Sequence, residues 1–391
     1  MGSIRTLLAL AVMFGHADLY LFTGGTLAVQ LFYVISGYLM SLILLSKSYN
    51  SLSAFYTNRF LRLYPIYWTV AVTTTLIYLI INTPSSLEFW SVYKNLGPDS
   101  IWLVLSNILL FGQDWIMFTG VDEGNFGLTS NFKSSEVLVW QGLLVPQAWT
   151  LGVELSFYLI APFILRDKKR WITILLFSLI LRAYFIHIGI GTQDPFSYRF
   201  FPLEIALFLL GAFSHQFIKP LLESISIIQK KIFTNFVTTC FIGIILFFHF
   251  IEINHLLKSI ILIGGFILAL PILAKFQKGS STDDWIGSLS YPIYVCHWVV
   301  IDVIKFLVGR ELLPGEGLAF YALVLFASLG FAYILESMIS ERVEKLRDLY
   351  RVRILLMMKN HFLLLMCGDL CQEIETHLRF QSLFLHLFLH L

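Results

Sequence analysis

The sequence predicts an all-α fold: a polytopic membrane protein with about ten transmembrane helices in one bundle. Three observations predict it. Of the 391 residues, 57% are hydrophobic and only 13% charged, giving a mean hydropathy of +0.77. A soluble domain carries about 25% charged residues. A bilayer accounts for the deficit, because positions facing lipid must be apolar as well as those in the core. The apolar residues also come in long unbroken runs, not in the weak alternation of a membrane barrel. Finally, the basic residues alternate between two sides as the chain is followed. A formal net charge of +2 is too small to imply a nucleic-acid partner.

A helix needs about 20 apolar residues to cross the hydrocarbon layer. Ten runs approach that length: 4–22, 26–45, 64–81, 149–165, 171–190, 200–217, 232–253, 256–274, 286–308 and 317–339. The shorter run 101–111 reads as an interfacial or re-entrant helix. The segment 112–147 is the longest polar-leaning connection, and loops of that length are more often functional than idle. With the amino terminus in the cytoplasm, inside loops and tail hold seventeen Lys and Arg residues and outside loops hold five. That bias orients both termini to the cytoplasm of a cell (inner) membrane. Residues 1–340 are therefore expected to form the transmembrane domain, and 341–391 a cytoplasmic tail with no assigned role.

The remaining features are quieter. The first apolar run starts too early for the basic lead of a signal peptide and has no small-residue cleavage site after it, so none is expected. Cys240, Cys296, Cys367 and Cys371 lack zinc-ligand spacing and read as reduced packing residues. The tail holds His361, His377, His386 and His390. Four residues separate the last two, but an amphipathic extension suits them better than a metal site, and no metal is expected.

Ionisable side chains inside a span are expensive, about 2.5–3.5 kcal/mol each on insertion scales, and are therefore candidate site residues. The first run carries Arg5 and His16. Eleven steps of 100° return to within about 20°, so both project from one helix face, roughly 16 Å apart along the axis. They read as two stations on one internal pathway. Arg59 and Arg62, three apart, would be neighbours on a helix and could form a fork for a phosphate-bearing ligand. Glu154 lies within an apolar run, where a carboxylate needs a partner. Ser290, Tyr294 and His297 share a stripe in the ninth run. For Arg182, Glu204 and His297 a structural pairing outweighs direct chemistry.

Five motifs in order resemble the acyltransferase-3 family of multi-spanning membrane O-acyltransferases. They are IRTLLALAVMFGH (4–16), VQLFYVISGY (29–38), FYTNRFLRLYPIYW (55–68), WTLGVELSFY (149–158) and LSYPIYVCHW (289–298). The resemblance covers roughly 4–340. It implies a ten-helix core that moves an acyl group, commonly acetyl, from cytoplasmic acyl-CoA to hydroxyls of surface polysaccharides or lipid-linked saccharides. It further implies that His16 is the essential histidine and that Glu154, the glutamate of its motif, is a second catalytic residue. Arg5, Arg59 and Arg62 would belong to the CoA site. Ser36 and Gly37 would line the donor path, and Tyr294 and His297 would stand behind the reacting groups. Only four residues precede Arg5, fewer than the family's usual lead, and the tail has no counterpart.

Acyl transfer to an alcohol needs a base for the hydroxyl proton, and neutral histidine suits that task. Acyl-CoA would be a substrate, with no permanently bound cofactor. A secondary transporter of a small solute is the rival expectation, since buried charges suit it too. It should show paired half-repeats, and none is evident. A receptor or assembly subunit with a degenerate site is a third.

Overall fold

The computed structural model describes residues 1–46, 51–224, 231–278, 280–315, 317–345 and 347. Residues Met1–Ser340 form one compact unit. The predicted tail, with its histidines and two of the cysteines, lies almost wholly outside the described residues.

The all-α prediction holds. The helices are α1 (Gly2–His16), α2 (Gly25–Leu45), α3 (Leu52–Ile80), α4 (Pro84–Leu96), α5 (Ile101–Leu109) and α6 (Gln113–Ile116). Then follow α7 (Trp149–Ile164), α8 (Lys168–His187), α9 (Phe201–Phe213), α10 (Lys219–Ser224), α11 (Lys231–Phe247), α12 (His255–Lys278), α13 (Ser281–Ser288), α14 (Ser290–Gly309) and α15 (Gly317–Leu335). The one sheet among the described residues is a hairpin, β1 (Thr119–Asp122) and β2 (Asn125–Leu128), inside the long polar-leaning connection.

Among the described residues, eight helices are long and apolar enough to cross a membrane. Two of the ten expected spans fall short. Helix α1 has 15 residues and α7 has 16, about 22–24 Å each at 1.5 Å per residue. The hydrocarbon layer is about 30 Å thick. The first run breaks after His16 because the chain turns sharply there, with Asp18 at φ 63° and Phe22 at φ 59°. The third run is longer than its apolar stretch. Ser51 caps α3 by accepting from the Ala54 backbone N–H at 3.1 Å, so the helix begins twelve residues before Tyr64 and carries Arg59 and Arg62 itself. Helices α13 and α14 together form the ninth span, which starts at Ser281.

Two contacts set the position of α1. The Asp283 carboxylate accepts from the backbone N–H groups of Gly2 (2.7 Å) and Ser3 (2.8 Å) and from Ser3 Oγ (2.5 Å). A negative group at a helix amino end meets unpaired N–H donors and the positive end of the dipole. Thr6 Oγ1 donates to Ile286 O at 2.7 Å. Together these bonds fix the register of α1 against α13, and so the heights of Arg5 and His16.

Helix α2 is the centre of the bundle and packs on α1, α7, α9 and α12. Its contact with α9 is close because each helix presents a glycine to the other. A Cβ on Gly37 would lie 1.8 Å from Phe208 O, and one on Gly211 would lie 2.0 Å from Val34 O. Small residues that let backbones touch are a usual device between membrane helices.

Candidate active site

A cavity of about 90 Å³ opens between α1, α2, α3, α7 and α14. Its wall holds Arg5, Arg62, Ser36, Glu154, Tyr158 and Tyr294 among apolar neighbours. Helix α7 supplies the carboxylate: Glu154 Oε1 accepts from Ser36 Oγ at 2.6 Å and from the Tyr158 hydroxyl. Arg5 and Arg62 line the same narrow space, so two cations face one carboxylate within it. Such a chamber suits an anionic or polar group.

Two site expectations change here. Arg59 and Arg62 are not a matched fork. Arg62 lines the cavity, whereas Arg59 is buried behind it, 3% exposed, with its guanidinium 5.7 Å from the Tyr158 ring centre and 5.9 Å from that of Phe55. Arg59 Nη2 donates to Asn58 Oδ1 at 2.8 Å. Residues three apart are offset by about 60° around a helix, which is enough for one to face the chamber and the other the packing behind it. Gly37 is also absent from the wall, because it is pressed against Phe208 of α9.

A second group gathers around His16. Its Nδ1 is 2.8 Å from Nε2 of His297, and the two rings are nearly parallel, at 13°. Trp298 stands edge-on at 5.4 Å between ring centres, with Trp140 beyond it at 6.1 Å. His297 Nδ1 is 3.2 Å from Ile293 O. A carbonyl oxygen only accepts, so His297 Nδ1 carries the proton. Neutral His297 then offers a lone pair at Nε2, and His16 must donate from Nδ1. The consequence is that His16 Nε2 is left with its lone pair. His297 thus reaches His16 directly.

The expected single pathway is divided. Arg5 lines the cavity and His16 does not. Tyr294 belongs to both groups: it lines the cavity, and its ring centre lies 5.9 Å from that of His297. Its hydroxyl is 2.7 Å from Thr150 Oγ1 and donates to Gln147 O at 3.0 Å. Glu154, paired with Ser36 and Tyr158, stands with the cavity and not beside His16.

The 336 residues from 2 to 337 match the acyltransferase-3 family model, described as an acyltransferase domain. The chain belongs to that family. Among curated proteins it is similar to the peptidoglycan O-acetyltransferase OatA of Listeria monocytogenes, 25% identical over 77% of this chain and 49% of that protein. It is similar to an uncharacterized protein of Aquifex aeolicus, 26% identical over 52% of this chain and 89% of that one. It is also similar to the acyltransferase MdmB of Streptomyces mycarofaciens, 26% identical over 38% and 30%. The chain spans about half the length of the Listeria protein. No solved structure matches.

Within this acyltransferase-3 chain, Arg182 and Glu204 form the structural pair that the sequence suggested. Arg182 Nη2 donates to Glu204 Oε1 at 2.6 Å and to Leu203 O at 2.9 Å, and Glu204 is fully buried. Arg199 was not foreseen. It binds Asp194 at 2.6 Å and stacks 4.2 Å from the Trp149 ring centre, fastening the 188–200 connection to the start of α7. In that connection Asp194 is held below the usual carboxylate range, because hydrogen bonding to Arg199 and Lys133 outweighs its burial. The sequence signal was an arginine beside Tyr198 in a short connection, which looks like any loop charge until Trp149 is brought beneath it.

Proposed function

We propose that this protein is a membrane O-acyltransferase that moves an acyl group, acetyl in the simplest case, from cytoplasmic acyl-CoA to a hydroxyl of a surface polysaccharide or lipid-linked saccharide. The observation that carries the reading is the His16–His297 pair, whose hydrogen bonds leave His16 Nε2 as an acceptor. Family membership and similarity to a peptidoglycan O-acetyltransferase favour it over solute transport.

In this reading the amino end of α1 faces the cytoplasm. Arg5 and Arg62 attract the anionic end of CoA, with Arg59 holding the Tyr158 side of the wall. The acyl-bearing arm enters the cavity past Ser36 and Glu154 towards Tyr294. His16 Nε2 takes the proton of the acceptor hydroxyl as its oxygen bonds to the thioester carbon. The carbon–sulfur bond then breaks, the pair leaves on sulfur, and the proton passes from His16 to the CoA thiolate. Tyr294 must swing aside or the arm must pass beside it, since the cavity stops short of His16. His297 holds His16 in the productive tautomer, and Gly37 keeps α2 and α9 close.

The test uses purified protein in nanodiscs with radiolabelled acetyl-CoA and glycan acceptor from the native host. Wild type should transfer label as an alkali-labile ester. His16→Ala should lower kcat by about 10²–10⁴, the usual contribution of a general base. Deletion of the gene followed by mass spectrometry of surface glycans should show the loss of one acyl mass. Unchanged glycans together with transport of a solute would refute the reading.

A further inference from the structure

We infer that Tyr33 is a substrate-binding residue of this site, with its phenol O–H donating to the carbonyl oxygen of the acyl thioester. The inference rests on the acyl-transfer reading above. Tyr33 is on α2, 2% exposed, and its ring stacks on Phe208 at 4.7 Å between centres. It lines the cavity that holds Arg5, Arg62 and Glu154. Its hydroxyl has no hydrogen-bond partner. Among the described residues it is the one such buried side-chain group that also lines this cavity.

A buried polar group without a partner costs about 1–3 kcal/mol, and phenylalanine would fill the same space without that cost. The other hydroxyls of the wall are satisfied: Ser36 and Tyr158 by Glu154, Tyr291 by Leu63 O at 2.6 Å, and Tyr294 by Thr150 and Gln147. A donor kept unoccupied on a residue that lines a narrow chamber is suited to a ligand that brings an acceptor. The thioester carbonyl is such an acceptor. It gains negative charge as the hydroxyl oxygen adds, so a donor placed there strengthens in the transition state. Height on the bundle agrees. Tyr33 is about one turn nearer than Ser36 to the amino end of α2, where Gly25 lies against Gly15 of α1 next to His16.

The experiment compares wild type with Tyr33→Phe in nanodiscs, measuring acetyl transfer, thermal unfolding and competition by two CoA derivatives. One derivative, acetyl-CoA, has the carbonyl; the other, S-ethyl-CoA, lacks it. Tyr33→Phe should lower kcat about 10²-fold, the scale of one oxyanion donor, with KM for acetyl-CoA changing less than about threefold. Its Tm should equal or exceed that of wild type. Wild type should prefer acetyl-CoA over S-ethyl-CoA, and the preference should shrink in the variant. A kcat within threefold of wild type overturns the assignment, as does an unchanged preference between the two derivatives. A lowered Tm or failure to fold also overturns it, because the hydroxyl would then have a structural partner. If wild type itself transfers no acetyl group, the acyl-transfer reading has failed instead.

Discussion

Helices α2 and α11 are almost equally apolar, with mean hydropathies of 1.9 and 1.8 over their spans, yet 72% of one is buried in the protein and 22% of the other. In water such a difference would show as a polar outer face. In a bilayer the outside is as apolar as the core, so hydropathy does not distinguish them. The distinction lies in the small and polar residues. Helix α2 places Gly37 against α9, Ser36 on Glu154, and Ser41 at 2.9 Å from His215 Nδ1. Helix α11 has Gly243 with nothing within 4 Å of a Cβ built there. On these two helices, the glycine and hydroxyls that touch other helices mark the inside, and Gly243, which touches nothing, marks the outer face.

The largest effect is expected where a peripheral helix is fastened by charge. Helix α8, only 17% buried, is joined to α9 by Arg182 and the fully buried Glu204. Removing one member of a buried pair costs about 3–5 kcal/mol, and Arg182 is 21% exposed, which places Arg182→Met near the low end. Its Tm in detergent should fall by several degrees while kcat of the folded fraction stays near wild type. A Tm equal to wild type would mean that packing alone holds α8.

Next is the histidine pair of the inner helices. His297→Leu removes the acceptor of the His16 Nδ1 proton and should lower kcat about 10- to 100-fold, the worth of a hydrogen bond to an acting base. His297→Gln retains an acceptor oxygen and should recover much of that loss. Equal losses in both variants would show that His297 acts by packing and not by orienting His16.

The glycines give a direct contrast between the two regions. Gly37→Ala inserts a methyl group where Phe208 O stands at 1.8 Å, and overpacking of that kind costs about 1–3 kcal/mol. Gly243→Ala meets open space and should gain up to about 1 kcal/mol of helix propensity. Thermal unfolding of the two variants should therefore move in opposite directions. Shifts of the same sign would undo the distinction between buried and lipid-facing glycines.

The last comparison concerns pH. Asp114, in the connection outside the spans, is pushed up to about 7 by burial. The folded protein then binds a proton that the unfolded chain releases near 3.8, so this contribution to stability is full below that value. It is lost as pH rises through about 7. Asp114→Asn should unfold at a higher temperature than wild type at pH 8, with the gap closing towards pH 5. A gap that does not vary with pH would remove Asp114 as its cause.

The membrane class, most of the spans and the candidates Arg5, His16 and Glu154 were legible because insertion into lipid penalises each polar atom separately, whatever its neighbours. The limits of α1, α3 and α7 were less so. Hydropathy records where a chain may cross, whereas caps such as Ser51 and the turn at Asp18 decide where a helix begins and ends. By itself, the sequence determined the family and which residues are costly enough to need a purpose. Tertiary structure decided how they group: Arg62 at the cavity and Arg59 behind it, Glu154 with Ser36, and His16 with His297, 281 positions apart in the sequence. The physical reason is range. Desolvation acts on one side chain at a time and can be read along a chain, while hydrogen bonds reach about 3 Å and exist only after helices from distant segments have packed.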